Sequence, residues 1–337
     1  MLRLQSALAL LLVSTVAVAQ TPAPKPPEAR EVVVYSGRNE KLVGPVLKDF
    51  EKQTGIKVQV RYGETPGLAA LILEEGKRSP ADVYIAQDAG ALGLLEKEGR
   101  LAKLPDAVLK QVSREDFRSR KGTWVGLSGR VRTLAYDTRK VKADELPQSV
   151  DGLTDPKWKG RIGWAPTNAS FQSFVTAYRL AKGDDAAKQW LRKMKANGAR
   201  AYKNNTAIIE ALARGEISVG LVNHYYLHAM NKDRKEPLPV ANHMFAAGDP
   251  GALVNVAGVG ILEGAKNAEA ARKLVEFLLS KDAQVHFQNE TYEYPLSAGV
   301  APNEKLAPLP SQAGKLDLSR LEDLRGTLEL LQSEGVL

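Results

Sequence analysis

Residues 32–60, VVVYSGRNEKLVGPVLKDFEKQTGIKVQV, decide the fold class of this chain. The apolar run at 32–35 predicts a short buried strand, and residues 40–53 carry apolar side chains at helical spacing, which predicts an amphipathic helix. Gly55 ends that helix, and residues 56–60 predict a second strand. Two strands joined by a helix run in the same direction, so this stretch predicts a parallel sheet covered by helices.

The same alternation recurs along the chain. Further strands are predicted at 81–86, 161–164, 217–222 and 251–262, and further helices at 68–75, 91–98, 171–181, 185–197, 207–213, 226–231, 265–280 and 318–333. A chain of 337 residues is larger than one typical domain, so the expected architecture is α/β with two domains or lobes.

The N-terminus has the pattern of a secretory signal peptide. Arg3 precedes an apolar run at 7–18, and Ala17-Val18-Ala19 is a small-residue cleavage site. We predict a signal peptide at 1–19, cleaved after Ala19, and an extended proline-rich tether at 20–29. No later stretch reaches the roughly 18 apolar residues of a spanning helix, so a soluble periplasmic protein is expected, with an N-terminal membrane anchor as the alternative.

Composition excludes several kinds of site. The chain has no cysteine, so it has neither disulfides nor thiolate metal sites. The formal net charge is +8, but the basic residues have acidic neighbours, as in Glu96-Lys97-Glu98, and form no basic block with interleaved aromatics. A solvated basic surface is therefore favoured over a nucleic-acid interface.

Two adjacent tyrosines form the candidate site. Tyr225 and Tyr226 follow the predicted strand at 217–222 and open the next predicted helix, and such turns at a sheet edge are where α/β proteins bind ligands. Two phenols suggest hard oxygen ligands for a hard, highly charged cation, because a bound cation favours phenolate at neutral pH. The alternative is one core ring and one surface ring, since neighbours on a strand point to opposite faces.

Other metals fit the sequence less well. Calcium favours carboxylate loops, and no Asp-x-Asp-x-Asp-Gly loop is present. Zinc favours histidine, and the chain has four. His224 and His228 are spaced four apart, but Tyr225 follows His224 where a zinc protease needs glutamate, so we expect them behind the site or on the surface.

Seven short stretches carry a resemblance to a known family. They are VVYSGR at 33–38, PADVY at 80–84, LSGR at 127–130, YDTRK at 136–140, WKGRIG at 158–163, YY at 225–226 and DPGA at 249–252. In this order, behind an export signal, they resemble the periplasmic solute-binding proteins of ABC importers, and within them the ferric-ion-binding proteins. The resemblance implies two α/β lobes, each a mostly parallel sheet flanked by helices, with the ligand in the cleft between them.

The resemblance also implies where the chain passes between lobes. Residues 30–128 and 254–305 would form lobe 1, and residues 129–253 and 306–337 would form lobe 2. The crossings would lie near 128–132, near Leu253 and near Lys305.

In that family the paired tyrosines bind iron, so Tyr225 and Tyr226 are the expected metal ligands. One branch adds a histidine and a glutamate, but Asn39 and Gln87 stand at those positions here, and neither is a good Fe(III) ligand. Another branch uses a third tyrosine, and Tyr136 stands at the matching position. Tyr136 is therefore the third expected ligand, with a core tyrosine that closes a strand as the alternative.

The family completes the Fe(III) shell with a small synergistic anion, carbonate (or bicarbonate) or phosphate. The candidate contacts are the Arg38 guanidinium, the backbone amides of Ser128 and Gly129, the helix start at Asn168, and Asn223, with Arg130 as a weaker candidate. A surface salt bridge with Glu40 is the alternative for Arg38.

Two classes of function compete. The first is a carrier that captures Fe(III) and delivers it to an inner-membrane ABC permease, acting as a monomer that neither spans the membrane nor binds nucleic acid. The second is an enzyme, but no Gly-x-Ser-x-Gly, cysteine nucleophile or zinc-protease motif is present. Within the carrier class, an anionic or phosphorylated small molecule is the alternative cargo, with Arg38 as its main contact.

Overall fold

The structure, a computed structural model, describes residues 31–309 and 316–337. The predicted signal peptide at 1–19 and tether at 20–29 lie outside the described residues. The strands are β1 (Glu31–Ser36), β2 (Lys57–Tyr62), β3 (Val83–Ala86), β4 (Trp124–Asp137), β5 (Ile162–Trp164), β6 (Arg200–Ala201), β7 (Val219–Asn223), β8 (Val240–His243), β9 (Val254–Ile261) and β10 (Tyr294–Pro295). The helices are α1 (Glu40–Thr54), α2 (Thr65–Glu75), α3 (Ala89–Lys97), α4 (Asp106–Leu109), α5 (Ala169–Lys182), α6 (Asp184–Ala196), α7 (Asn205–Ala213), α8 (Tyr225–Asn231), α9 (Ala268–Leu278), α10 (Lys281–Thr291) and α11 (Leu324–Ser333).

The first strand–helix–strand unit forms as its sequence predicts. β1 and β2 pair in parallel, and α1 buries the apolar face that includes Val46 and Phe50. The Asn39 side chain caps α1 by accepting a hydrogen bond from the Leu42 N–H. Gly55 ends the helix in a left-handed conformation at φ 71°, which glycine adopts without steric cost.

The strands of the described residues join into one sheet in the order β2-β1-β3-β9-β4-β7-β5-β6, with β8 and β10 also paired to β4. β1 runs parallel to β2 and β3, and β5 runs parallel to β6 and β7. β4 and β9 are antiparallel to each other and lie between these two parallel groups. Two α/β lobes therefore share a central antiparallel pair, which confirms the predicted fold class.

Strand β4 passes from one lobe to the other. Residues 124–131 pair with β9, and residues 132–136 pair with β7. The Arg132 N–H donates to the Leu253 carbonyl at 2.8 Å, just before β9 begins. The change of partner between Val131 and Arg132 brings Arg130 and Arg132 to the junction of the lobes.

The C-terminal segment differs from the expectation that all of 306–337 belongs to lobe 2. A 3₁₀ helix at Leu318–Glu322 packs against α3 of lobe 1, and the Trp124 Nε1–H donates to Ser319 Oγ at 3.2 Å. Gly93 permits this approach, because a Cβ there would lie 2.0 Å from the Ser319 carbonyl oxygen. The 3₁₀ helix also touches α5 of lobe 2, and helix α11 then packs on α5.

Within residues 31–309 and 316–337, no helix is both long enough and apolar enough to span a bilayer.

Candidate functional site

The turn between β7 and α8 presents the tyrosine pair. His224 occupies the turn and is buried. Its Nδ1 accepts a hydrogen bond from the Val131 N–H at 3.1 Å, and its Nε2 lies 2.8 Å from the Tyr292 carbonyl oxygen. Burial lowers the pKa of His224 to about 4, so the ring is neutral near pH 7 and donates from Nε2. The turn is thereby tied to β4 and to the segment that precedes β10.

Tyr225 and Tyr226 lie in the first turn of α8 rather than on a strand. Neighbours on a helix diverge by about 100°, so the rule that sends strand neighbours to opposite faces does not apply. The two rings stack, with centroids 4.3 Å apart and an interplanar angle of 26°. Both side chains are half-buried and line the same cavity.

That cavity has a volume of about 190 Å³ and lies between the lobes. Lobe 1 contributes residues from the β3–α3 turn, β4 contributes two arginines, and lobe 2 contributes the start of α5 and the tyrosine turn. The lining residues are Gln87, Asp88, Arg130, Arg132, Asn168, Ala169, Ser170, Ser173, Asn223, Tyr225, Tyr226, Leu253 and Asn255.

Arg132 is one of the two buried arginines of this cavity. It is 2% exposed, and it forms no ion pair with any carboxylate of the described residues. Its guanidinium lies over the faces of Phe171 and Phe174, 5.6 and 5.7 Å from the ring centroids. Burial lowers the pKa of Arg132 to about 9, and the neighbouring hydroxyls of Tyr226 and Tyr225 oppose that shift. An anion or a phenolate in the cavity would therefore relieve an unbalanced charge.

Burial also controls the acidic groups of the site. It raises the pKa of Tyr225, and interaction with Tyr226 raises it further, while Arg130 acts in the opposite direction. Tyr225 therefore holds its proton at neutral pH unless a cation displaces it. Burial likewise raises the pKa of Asp88, opposed by Arg130 and by the Gly90 and Ala91 amides at the start of α3.

The N-terminus of α5 forms the polar floor of lobe 2. Asn168 caps the helix, and its Oδ1 accepts from the Ser170 N–H at 3.1 Å and from the Ser170 hydroxyl at 2.6 Å. Asn205 donates from Nδ2 to Asn168 Oδ1 at 3.2 Å and accepts from the Asn223 N–H at 2.9 Å. A helix start held in this way concentrates partial positive charge where an anion can approach.

Arg38 does not reach the cleft, which corrects its expected role. The side chain is fully buried in lobe 1, where its guanidinium donates to Glu293 at 2.9 Å and to Ser128 Oγ at 2.8 Å. The alternative of a surface pair with Glu40 is also wrong, because the partner is the buried carboxylate of Glu293. The Arg38 guanidinium lies among a carboxylate, a hydroxyl and the Phe287 ring, and the residue does not line the interlobe cavity.

The backbone amides of Ser128 and Gly129 are unavailable for a related reason. Both residues lie within β4, where β9 pairs on one side and β10 on the other. Their N–H groups belong to the sheet, and the Ser128 hydroxyl is engaged with Arg38 and Glu293. The structure therefore places no open amide nest at this position.

Tyr136 is separated from the tyrosine pair. It lies opposite Val219, the first residue of β7, whereas the pair follows Asn223, the last residue of that strand. Four strand residues span about 13 Å, so Tyr136 stands at the far end of the sheet from the cavity. Its ring packs against the hydrophobic core, as the core alternative predicts.

Of the three weaker site candidates, one caps a helix and two line the interlobe cavity. Asn39 is exposed and caps α1. Gln87 and Arg130 line the cavity, and the Arg130 guanidinium donates to the Gln87 carbonyl oxygen. Sequence reasoning missed Arg132 and Asn205, because the sheet register and the α7 start that bring them to the cavity connect distant parts of the chain.

Among the described residues, no three His, Cys, Asp or Glu side chains group closely enough to hold a metal ion. A metal at this cleft would therefore depend on the phenol oxygens.

Comparison with known proteins agrees with this architecture. Residues 78–315 match a family model described as bacterial extracellular solute-binding protein. The major ferric iron-binding protein of Neisseria meningitidis is 34% identical over 313 residues, which cover 92% of this chain and 94% of that protein. The Fe(3+)-binding periplasmic protein of Serratia marcescens is 33% identical over 91% of this chain and 90% of its own length. The crystal structure of iron-bound HitA from Pseudomonas aeruginosa superposes with a TM-score of 0.82 at 34% identity, covering 90% of this chain and 99% of that one.

Proposed function

The chain belongs to the bacterial extracellular solute-binding protein family, and we propose that it captures ferric ion in the interlobe cleft and delivers it to an ABC permease. The resemblance inferred from the sequence motifs is confirmed by the ferric-iron-binding relatives. The role of the family is binding and transport rather than catalysis. The observation that carries the proposal is the stacked tyrosine pair at the start of α8, which opens into a cavity between the lobes.

The chemistry of the pair suits Fe(III). A small trivalent cation prefers anionic oxygen, and a bound cation reverses the cost of ionising a buried phenol. Tyr225 and Tyr226 come from one helical turn, their rings stack, and both side chains line the same cavity. We propose both as phenolate ligands.

The charges of the cavity call for an anion beside the metal. Two phenolates cancel two of the three charges of Fe(III), and the Asp88 carboxylate cancels one more. Arg130 and Arg132 then leave two positive charges in a largely enclosed site. Carbonate or monohydrogen phosphate carries the balancing charge, and the start of α5 with Asn168 and Asn223 offers its binding surface.

The remaining parts of the proposal concern transport. The segment 1–19 serves as a signal peptide cleaved after Ala19, and the mature chain works as a periplasmic monomer. Closure of the lobes on the ion then presents a loaded carrier to the permease, in the manner of a ligand-driven hinge motion.

A metal titration tests the proposal. Purified protein is titrated with Fe(III) in the presence and absence of bicarbonate or phosphate, and binding is followed by the visible phenolate-to-iron charge-transfer band. We expect a coloured complex whose affinity rises when the anion is added. A colourless protein that takes up no Fe(III) under either condition would rule the proposal out.

A further inference from the structure

We propose that His224 is a positioning residue that fixes the two tyrosines relative to lobe 1 through a hydrogen bond between the lobes. The proposal rests on the function proposed above and deepens it, because it names a side chain that sets the geometry of the phenol ligands without binding the metal itself. Two observations carry it: the hydrogen bonds of the His224 ring and the backbone conformation of Tyr292.

The His224 ring replaces a backbone group of the sheet. The β4–β7 ladder ends with the pair Arg132 and Asn223, and Val131 and His224 would form the next pair. The His224 N–H donates to the Val131 carbonyl at 3.0 Å, but the His224 carbonyl accepts instead from Asn242 Nδ2 at 2.9 Å. The ring Nδ1 takes the place of that carbonyl and accepts from the Val131 N–H at 3.1 Å. The chain therefore leaves the sheet and begins α8 without an unpaired amide on β4.

The second ring nitrogen reaches lobe 1. Because Nδ1 accepts a hydrogen bond, Nε2 carries the proton of the neutral ring and donates it to the Tyr292 carbonyl oxygen, 2.8 Å away. Tyr292 closes α10, and Tyr294 pairs with Gly129 in the part of β4 that belongs to lobe 1. One buried side chain therefore joins the tyrosine turn of lobe 2 to lobe 1.

The Tyr292 carbonyl is held by an uncommon backbone conformation. Among the described residues, Tyr292 is the one residue other than glycine with a positive φ, at 55°. Such a conformation costs free energy, so it persists only where neighbouring contacts enforce it. The Tyr292 N–H donates to the Gln288 carbonyl at the end of α10, and the Tyr292 ring stacks on His228 of α8 with centroids 5.6 Å apart. The next residue, Glu293, is the buried partner of Arg38. These contacts fix the acceptor of the hydrogen bond between the lobes.

The His224 ring also packs against one tyrosine of the pair. The rings of His224 and Tyr225 meet edge to face with centroids 5.8 Å apart, and the Tyr294 ring lies 4.9 Å from His224. A shift of His224 would therefore move the Tyr225 ring, on which Tyr226 stacks. The link to lobe 1 thus sets where the two phenol oxygens lie when the lobes close on Fe(III).

Two substitutions separate the two ring nitrogens. His224→Asn places an oxygen as many bonds from Cβ as Nδ1, so it can still accept from the Val131 N–H, but it is too short to reach Tyr292. His224→Gln places an amide nitrogen as many bonds from Cβ as Nε2, so it keeps the donor to the Tyr292 carbonyl and loses the acceptor for Val131. A purely structural role predicts that iron affinity falls in step with stability, whereas a positioning role predicts that the two effects separate.

Chelator competition measures Fe(III) affinity, and urea denaturation measures the stability of the metal-free protein. We expect His224→Asn to weaken Fe(III) binding by about 10- to 100-fold, the range for groups that orient metal ligands, and to shift the charge-transfer band. His224→Gln should be less stable than His224→Asn, because it leaves a buried amide unpaired, yet bind Fe(III) about tenfold more tightly than His224→Asn. His243→Asn is the matched control and should leave Fe(III) affinity unchanged, since His243 Nε2 lies 3.0 Å from the Pro147 carbonyl within lobe 2 and outside the cavity.

A measurement without iron tests the hydrogen bond itself. Nitrogen NMR of the metal-free protein with labelled histidine should show the His224 ring protonated at Nε2 alone near pH 7, with slow exchange of that proton. A proton on Nδ1, or rapid exchange of the Nε2 proton, would overturn the link between the lobes.

The outcomes distinguish this inference from the proposed function. A wild-type protein that takes up no Fe(III) refutes the iron carrier and the positioning role with it. If the wild type binds Fe(III) and His224→Asn matches it in affinity and in charge-transfer band, His224 does not position the tyrosines and the iron carrier stands. The positioning role is equally refuted if affinity and stability fall together in the two variants, because His224 would then only support the fold.

Discussion

The acid sensitivity of iron binding follows from the two phenols. Each must lose its proton to bind Fe(III) as phenolate, so each ligand releases a proton on binding. Burial raises the pKa of Tyr225, and interaction with Tyr226 adds to that shift, so the metal-free protein keeps the Tyr225 proton across the neutral range. Iron affinity is therefore expected to rise with pH and to fall as the solution becomes acidic.

The number of phenolate ligands sets the steepness of this dependence. Release of one proton changes the apparent association constant about tenfold per pH unit, and release of two changes it about 100-fold. Tyr225→Phe and Tyr226→Phe each remove one ionisable ligand. In each variant the apparent association constant for Fe(III) should therefore change about tenfold per pH unit, compared with about 100-fold in the wild type. Each variant should also bind Fe(III) more weakly than the wild type across the neutral pH range.

The assay is competition for Fe(III) against a chelator of known protonation, at constant phosphate, over the neutral pH range. Comparing each variant with wild type cancels the protonation of phosphate itself, since both proteins see the same anion. Tyr136→Phe is the matched control, because Tyr136 lies at the other end of β7 and does not line the cavity. Loss of one hydroxyl should change the unfolding free energy of the metal-free protein by only about 1 kcal/mol, which urea denaturation checks.

Two results would contradict this reasoning. If Tyr225→Phe or Tyr226→Phe keeps the wild-type slope and affinity, that phenol is not a ligand. If Tyr136→Phe loses iron instead, the separation of Tyr136 from the site is wrong.

Three further predictions concern stability. Arg38→Met leaves the buried Glu293 carboxylate unpaired and should cost about 3–5 kcal/mol in urea denaturation, while the phosphate dependence of iron binding stays at the wild-type level; an altered anion dependence would return Arg38 to the site. Burial alone would raise the pKa of Glu293, but Arg38, Arg130 and the Ser128 hydroxyl bring it below its usual value. The ionised Glu293 therefore contributes fully to the free energy of unfolding above about pH 4.3, and this contribution is lost as pH falls through the lowered pKa. Acid titration of wild type against Glu293→Gln should show this, and equal acid sensitivity would argue against it. Asn39→Ala should lower stability by about 1 kcal/mol through loss of the α1 cap and leave iron affinity unchanged, so a drop in iron affinity would show that Asn39 reaches the metal.

Local sequence patterns predicted most elements because each rests on interactions between near neighbours. The apolar spacing of residues 40–53 became the buried face of α1, and Gly55 became its left-handed end. The predicted helix start at Asn168 is a true cap, since an asparagine before a helix satisfies the first amides from its own side chain. The predicted strand at 251–262 begins three residues later, because Pro250–Ala252 forms a 3₁₀ turn instead.

Side-chain roles were harder to predict wherever they depended on distant partners. Arg38 was expected to contact the anion, but its partner Glu293 is 255 positions away and meets it only inside lobe 1. Tyr136 matched a family position, yet the sheet register carries it away from the cleft. Conversely, Arg132 had no local signal at all, and it faces the tyrosines because β4 exchanges β9 for β7 at that residue.

The sequence by itself determined the α/β class and, as expectations, the export signal and the tyrosine pair as iron ligands. The α/β class and the export signal follow from periodicity and composition, which are properties of short segments. The role of the tyrosine pair rested on the resemblance to the ferric-ion-binding proteins together with the chemistry of phenols. Only the tertiary structure decided which charges accompany the tyrosines. Burial and pairing made Arg38 part of the scaffold and left Arg132 without a counter-charge, because the cost of a buried ion depends on which neighbours the fold brings to it.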